Sequence, residues 1–223
     1  MKQRPKAVVS WSSGKDSAFA LGEVRRADEF EVVGLLTTVT KSFGRVSIHG
    51  VRETLLDQQS RATGLPLLRV EIPYPCPNEV YETEMAKAIR ELEARGVSHM
   101  VFGDLFLEDV RAYRESKLEP TGIRPVFPLW HRNTTELARA MIDSGLEARI
   151  VCLDPKKLPK RFAGRRFDAE LLADLPTSVD PCGENGEFHT FVTQSPMFSQ
   201  PIPVVAGEVV QRDGFVFADL MPG

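Results

Sequence analysis

Ser12-Ser13-Gly14-Lys15-Asp16-Ser17 packs three hydroxyls, an ammonium, a carboxylate and a glycine into six consecutive residues. The apolar run Lys6 to Trp11 precedes them, and a helical pattern from Asp16 to Arg26 follows. A strand–loop–helix joint of this kind aims backbone N–H groups and the positive end of a helix dipole at one point, which suits phosphate. We expect Gly14 to permit close backbone approach, Lys15 to neutralise charge, and Asp16 to hold Mg²⁺ beside phosphate oxygens. The string is not a Walker A loop, because Lys15 is followed by Asp16 where that motif has Ser or Thr. The bland alternative makes Ser12 or Ser13 a helix cap and Asp16 a dipole complement. The full string is richer than a cap requires.

Other chemistry-bearing residues lie further along. Gly103-Asp104 ends an apolar run, where an Asp either caps the next helix or faces a ligand. Glu108, Asp109, Arg111 and Arg114 share the segment that follows; Glu108 and Arg111 are spaced for a surface ion pair, or Arg111 offers its planar fork to a phosphate or carboxylate. His49 sits in a polar loop ahead of a helical pattern, able to overhang a ligand. Glu184-Asn185-Gly186-Glu187 reads either as a type I′ hairpin turn on Asn-Gly or as a loop presenting two carboxylates to an amine or a proton. The second reading is favoured, since a turn needs no paired acids. Cys182 beside it has no evident base and reads as inert.

The elements that must position these groups alternate. Apolar runs at Lys6–Trp11, Phe30–Val39, Leu67–Ile72, His99–Gly103 and Arg124–Leu129 read as strands. Between them, helical spacing covers Asp16–Arg26, Val51–Thr63, Asn78–Arg95 and Leu107–Leu118, with Asn78 as an N-cap and Gly64 and Gly96 as terminators. Near-continuous apolar strands separated by helices predict a doubly wound parallel sheet of five strands. Such sheets bind ligands beyond the carboxyl ends of their strands, where strand order reverses. After Pro128 the pattern shifts to a helix at Thr134–Ser144, a strand at Arg149–Leu153 and short strands near Glu187–Thr193, Val204–Gln211 and Phe215–Ala218, with a hairpin turn at Arg212-Asp213-Gly214. We therefore expect residues 1–128 to form the nucleotide-binding domain and 129–223 a smaller α+β substrate-binding domain.

The motifs add up to a resemblance. Ser12 to Ser17 is similar to the PP-loop of the N-type ATP pyrophosphatases, with Ser13 standing where glycine is usual. Gly103-Asp104, Leu107 to Arg111, Pro128-Leu129-Trp130 and Gly183-Glu184-Asn185-Gly186-Glu187-Phe188-His189-Thr190 follow in the order of the diphthine–ammonia ligase family, which the chain resembles along nearly its whole length. The resemblance implies a HUP-like sheet of strand order 3-2-1-4-5, with Asp104 facing the loop as a second Mg²⁺ ligand and Leu36 and Thr37 beside adenine. It implies cofactors ATP and Mg²⁺, catalysis by Lys15, Asp16, Glu184 and Glu187, and substrate contacts from His49, Glu108, Arg111 and the Glu184–Glu187 loop. The implied reaction adenylates a carboxylate, releases pyrophosphate and transfers free ammonia; in the family the acid is diphthine on elongation factor 2.

Composition narrows the alternatives. The 223 residues carry 28 Lys+Arg against 31 Asp+Glu, a net charge of −3. General nucleic-acid binders carry the opposite imbalance, and with no CxxC pair a tRNA-modifying PP-loop enzyme is disfavoured. The basic stretch at 156–166 reads as a solvated face, the alternative being a docking patch for an acidic partner. No run approaches the ~20 apolar residues of a membrane helix. Three cysteines without pairing and four histidines without ligand spacing indicate a reduced cytoplasmic protein with no zinc site. From another class, an ATP-binding regulator or a nucleotide hydrolase remains the competing reading.

Overall fold

The computed structural model describes residues 4–41, 45–46 and 50–223. Five parallel strands form the first sheet: β1 (Lys6–Ser10), β2 (Glu31–Thr40), β4 (Leu67–Ile72), β5 (Val97–Val101) and β6 (Arg124–Val126). Their order is β4-β2-β1-β5-β6, as the resemblance implies, and the short β3 (Arg45–Val46) adds antiparallel to the end of β2. β1 lies at the centre, so the order reverses between β1 and β5. That crevice is the switch point, and the Ser12–Ser17 loop leaves β1 directly into it.

Alternation along β1 explains the layering. Ala7 and Val9 join one buried cluster and Val8 the other, because successive strand side chains face opposite sides. On the first side pack helices α1 (Lys15–Ala27) and α2 (Glu53–Thr63); on the second, α3 (Asn78–Ala94) and α4 (Glu108–Leu118). Gly64 and Gly96 take positive φ at the ends of α2 and α3, as their sequence positions require. Asn78 is not the cap of α3. Pro77 occupies that position in extended conformation, and the Asn78 amide donates to Glu82 inside the first turn.

The rest of the chain adds α5 (Thr134–Asp143), β7 (Glu147–Leu153), α6 (Ala169–Asp174), β8 (Phe188–Gln194), β9 (Val204–Arg212) and β10 (Phe215–Pro222). These strands form an antiparallel sheet of order β8-β7-β10-β9. Its inner face, including Ile150, Phe188, Phe191, Val216 and Leu220, belongs to the same cluster as Val9, Trp11, Phe19 and Leu21 of the first sheet and α1. One continuous apolar core therefore links the two sheets across α1. In the β9–β10 turn both Asp213 and Gly214 take positive φ, the type I′ geometry that matches strand twist.

Candidate active site

Ser13, at the tip of the loop after β1, holds φ of 70° and is fully buried. This is the left-handed region that glycine occupies freely, and a serine there costs on the order of 1 kcal/mol. Gly14, by contrast, is extended at φ −90° as the N-cap of α1. The sequence therefore places the strained residue one position before its glycine, and the surroundings compensate. Val192 N of β8 donates to Ser13 O at 3.0 Å. Gln59 of α2, itself fully buried, donates Nε2 to Ser13 O at 3.0 Å and to Val192 O at 2.8 Å while accepting from Trp11 Nε1 at 2.8 Å. Thr190 Oγ1 accepts from Lys15 N at 3.1 Å. The loop is thus clasped by α2 and by a strand of the second sheet.

The first intrahelical bond runs from Ala18 N to Gly14 O, which leaves the amides of Asp16 and Ser17 in the free first turn of α1. The Ser12 and Ser17 hydroxyls stand 3.2 Å apart beside them. Gly103, just past β5, lies against this turn: a Cβ there would come within 2.8 Å of Asp16 C and 2.9 Å of Ser17 N. Its role is close packing of strand end on helix start.

A cavity of about 730 Å³ opens from Ser12 over the sheet face between α3 and α4. Leu36 and Thr37 line it, with Met100 and Phe102 as its apolar floor. Thr37 Oγ1 is buried there with no protein partner, so it presents a hydrogen-bonding group to whatever fills that end. A predominantly apolar cleft with one orphaned hydroxyl suits a ligand that is largely apolar with few polar groups.

Lys15 departs from the expectation. Its side chain is 1% exposed, and its ammonium donates to Asp16 Oδ2 at 2.9 Å and to Cys182 O. The rings of Phe167 and Phe188 flank it at 5.5 and 5.3 Å. As the first residue of α1, under cover of Thr190, it points into the core rather than into the cleft. Burial pulls its pKa down, but Asp16, Cys182 and Glu184 outweigh that and leave it raised, so the ammonium stays charged. Lys15 acts on the site as an internal positive charge that ties α1 to the loop of Glu184.

Glu184 comes to the switch point. Its Oε1 accepts from Leu105 N at 2.7 Å, and burial, opposed by that hydrogen bond and reinforced by Asp16 and Asp104, lifts it to about 7. The turn that carries it is not type I′. Gly186 N donates to Gly183 O, with Glu184 and Asn185 at the two central positions and only the flanking Gly183 and Gly186 at positive φ. Gly183 is required, since a Cβ would stand 2.8 Å from Phe188 O. Glu187 is 3% exposed and turned inward: Oε1 accepts from Asp180 N at 3.0 Å and from Asn185 Nδ2 at 3.3 Å. It organises the loop that presents Glu184, while its Oε2 has no protein partner. The Asn185 side chain is spent on this contact as well. Next along β8, burial and the Lys15 charge push His189 down to about 4, keeping it neutral.

Asp104 corrects the second metal expectation. Both its oxygens accept from Arg114, at 2.5 Å to Nε and 3.0 Å to Nη2, because α4 brings that guanidinium back over the end of β5. Asp16 offers more: Oδ1 is buried without a partner. Among the described residues no group of three or more acids, histidines or cysteines is arranged to hold a metal ion. One orphaned carboxylate oxygen fits a Mg²⁺ that takes its other ligands from phosphate and water.

The remaining expectations on α4 are not met. Glu108 is largely exposed and pairs with His131 at 3.2 Å. Arg111 bonds Glu115 at 2.8 Å and stacks over Phe127 and Trp130, away from the cavity lining. His49 lies outside the described residues. In the basic stretch, Arg165 pairs with Asp174, Arg166 with Glu147, and Lys157 donates to Asn185 O, so several of these charges have partners of their own.

Gln59 escaped sequence reasoning, which named Thr190 and Arg114 as parts of motifs without assigning them these contacts. Gln59 left a signal, because it falls on the apolar face of α2 with Leu55, Leu56, Ala62 and Thr63. A polar residue on a buried stripe needs partners.

A HUP-like doubly wound sheet with the free first turn of α1 at its switch point defines the class. The comparisons narrow it. Residues 5–125 match the diphthamide synthase N-terminal domain and residues 133–218 the diphthamide synthase C-terminal domain. The chain belongs to the diphthine–ammonia ligase family. Diphthine–ammonia ligase of Homo sapiens is 29% identical over 181 residues, covering 73% of this chain and 67% of that protein. The Danio rerio protein of the same name is 28% identical over 239 residues, covering 93% and 89%. That of Rattus norvegicus is 32% identical over 141 residues, 60% of this chain and 52% of its own length; the match thus spans about half of that relative.

Proposed function

We propose that this chain is an AMP-forming, ATP-dependent ligase that joins a carboxylate to ammonia. The observation that carries the reading is the meeting, at one sheet edge, of the free first turn of α1, the cleft lined by Leu36 and Thr37, and the near-neutral acid Glu184. ATP lies with adenine toward Leu36 and Thr37 and its phosphates on Ser12, Ser17 and the amides of Asp16 and Ser17. Asp16 holds Mg²⁺, which when bound compensates charge on the leaving pyrophosphate. A substrate carboxylate oxygen attacks the α-phosphorus, and pyrophosphate leaves. Ammonia then attacks the acyl carbon, AMP leaves, and the surplus proton on nitrogen passes to the Glu184 carboxylate, whose pKa near 7 suits a proton acceptor.

By the names of its relatives the acid is diphthine; we infer that an elongation-factor-2-like protein carries it and that the 129–223 segment holds it. The absence of any paired cysteine supports a cytoplasmic setting. Among the described residues no helix is long and apolar enough to cross a membrane.

Nucleotide product analysis tests the reading. With Mg-ATP, ammonium and diphthine-bearing factor, we expect AMP and pyrophosphate in equal amounts, dependent on the factor. AMP formed without it would retain the phosphate chemistry and reject that acid. ADP, or binding without turnover, would replace the ligase by a hydrolase or an ATP-binding regulator.

A further inference from the structure

β9 is the edge strand of the second sheet and, among the described residues, pairs only with β10. Edges in soluble proteins are usually blunted by lysine, proline or a bulge. Here a register shift falls opposite Gly207 and Glu208, and beyond it the strand Val209–Arg212 runs regular with neither lysine nor proline. Apolar side chains gather there: Val209 is 57% exposed, Val210 44% and Phe215 39%. A hairpin whose edge is both regular and apolar needs a cover.

The identity of the cover follows from register. Arg212 and Phe215 flank the two-residue turn and face each other, so their backbone groups point at one another, and by alternation so do those of Val210 and Phe217. The N–H and C=O of Val209 and Gln211 therefore point outward. A second β9, antiparallel and related by a two-fold axis through Val210, would receive bonds from both. That register sets Val210 opposite its own copy as a non-hydrogen-bonded pair, Val209 opposite Gln211, and Glu208 opposite Arg212 twice. Phe217 extends the Val210 row on each side, and Phe215 lies beside Arg212. Axes through neighbouring residues lose these pairs: one through Glu208 makes the acids face each other, and one through Val209 leaves Glu208 opposite Val210. Arg212 already lies over the Phe217 ring at 5.1 Å and 3.6 Å from Asp213, so its charge sits on the outer face where the opposing acid would arrive.

We propose that two copies of this chain associate through β9 in this register, joining their antiparallel sheets into one eight-stranded sheet. The test uses the full chain. Light scattering across 1–100 µM should show a dimer. Glu208→Arg and Arg212→Glu alone should each weaken it at least tenfold, and the double exchange should restore it. In a Cys76→Ser background, Val210→Cys should form an intermolecular disulfide under mild oxidation, because non-hydrogen-bonded partners sit about 4.5 Å apart at Cα. Val209→Cys should crosslink poorly. A monomer throughout the range, a dimer indifferent to both charge reversals, or stronger crosslinking at 209 than at 210 would overturn the proposal. Circular dichroism on each variant separates loss of pairing from loss of fold.

Discussion

Burial lifts Glu184 to about 7, against an ordinary value of 4.5, despite the stabilising amide of Leu105. Below pH 4.5 the group is protonated whether the chain is folded or not, so it is neutral toward stability differences. Between 4.5 and 7 the unfolded chain releases the proton and the folded one keeps it. Stability present at low pH is therefore lost as pH rises through 7, by up to about 3 kcal/mol for a shift of this size. Glu184→Gln mimics the protonated acid, so it should melt with the parent at pH 4 and above it at pH 8. As proton acceptor, the same carboxylate should give the parent enzyme a rate that climbs to a plateau above pH 7, and Glu184→Gln should lose that limb along with most of its turnover. Equal melting at both pH values would show the carboxylate to be unstrained. That one loop carries two acids, Glu184 and Glu187 within four residues, was legible in the sequence. The division of labour between the two was not, since it depends on amides of Leu105 and Asp180 that approach only in the fold.

At the level of elements, the turn proposed to bind phosphate is shaped by what is pressed against it. Gly103 lets the end of β5 touch the Asp16–Ser17 peptide, and the atoms a methyl group would meet are backbone, which cannot swing aside. Gly103→Ala should push the start of α1 off the sheet, costing about 1–3 kcal/mol of stability and weakening ATP binding roughly tenfold or more. Gly122→Ala is the control, because a Cβ there meets only the Glu93 carboxylate at 3.3 Å, the far end of a flexible side chain that can shift while it accepts from Gly122 N. Chemical denaturation and calorimetric titration of ATP read both effects; equal losses in the two variants would deny Gly103 its role. Strands and helices were readable because apolar runs and helical spacing are local signals, whereas the strand order came from the family resemblance. Partners remote in sequence, such as Asp104 with Arg114, or Gln59 with Ser13 and Val192, left no local trace, and that is why Asp104 read as a metal ligand and Lys15 as a phosphate contact.

The Ser12–Ser17 loop of this molecule is held by residues far beyond the first sheet. Ser13, in a conformation it would not adopt alone, is bonded by Val192 N, and Lys15 N by Thr190, some 175 residues away. Trp11, Phe19 and Leu21 share a core cluster with Phe188 and Phe191. A chain cut after residue 128 would expose that cluster to water and leave Ser13 unsupported, so the two functional halves should be a single folding unit. Two measurements follow. Calorimetry of the intact chain should show one transition whose van't Hoff and calorimetric enthalpies agree, raised by saturating ATP. The 1–128 fragment should lack a cooperative melt and bind no ATP, and should regain both only when 129–223 is supplied. Two transitions, or a nucleotide-binding fragment, would mean that the first sheet sets its own loop and that β8 merely rests on it.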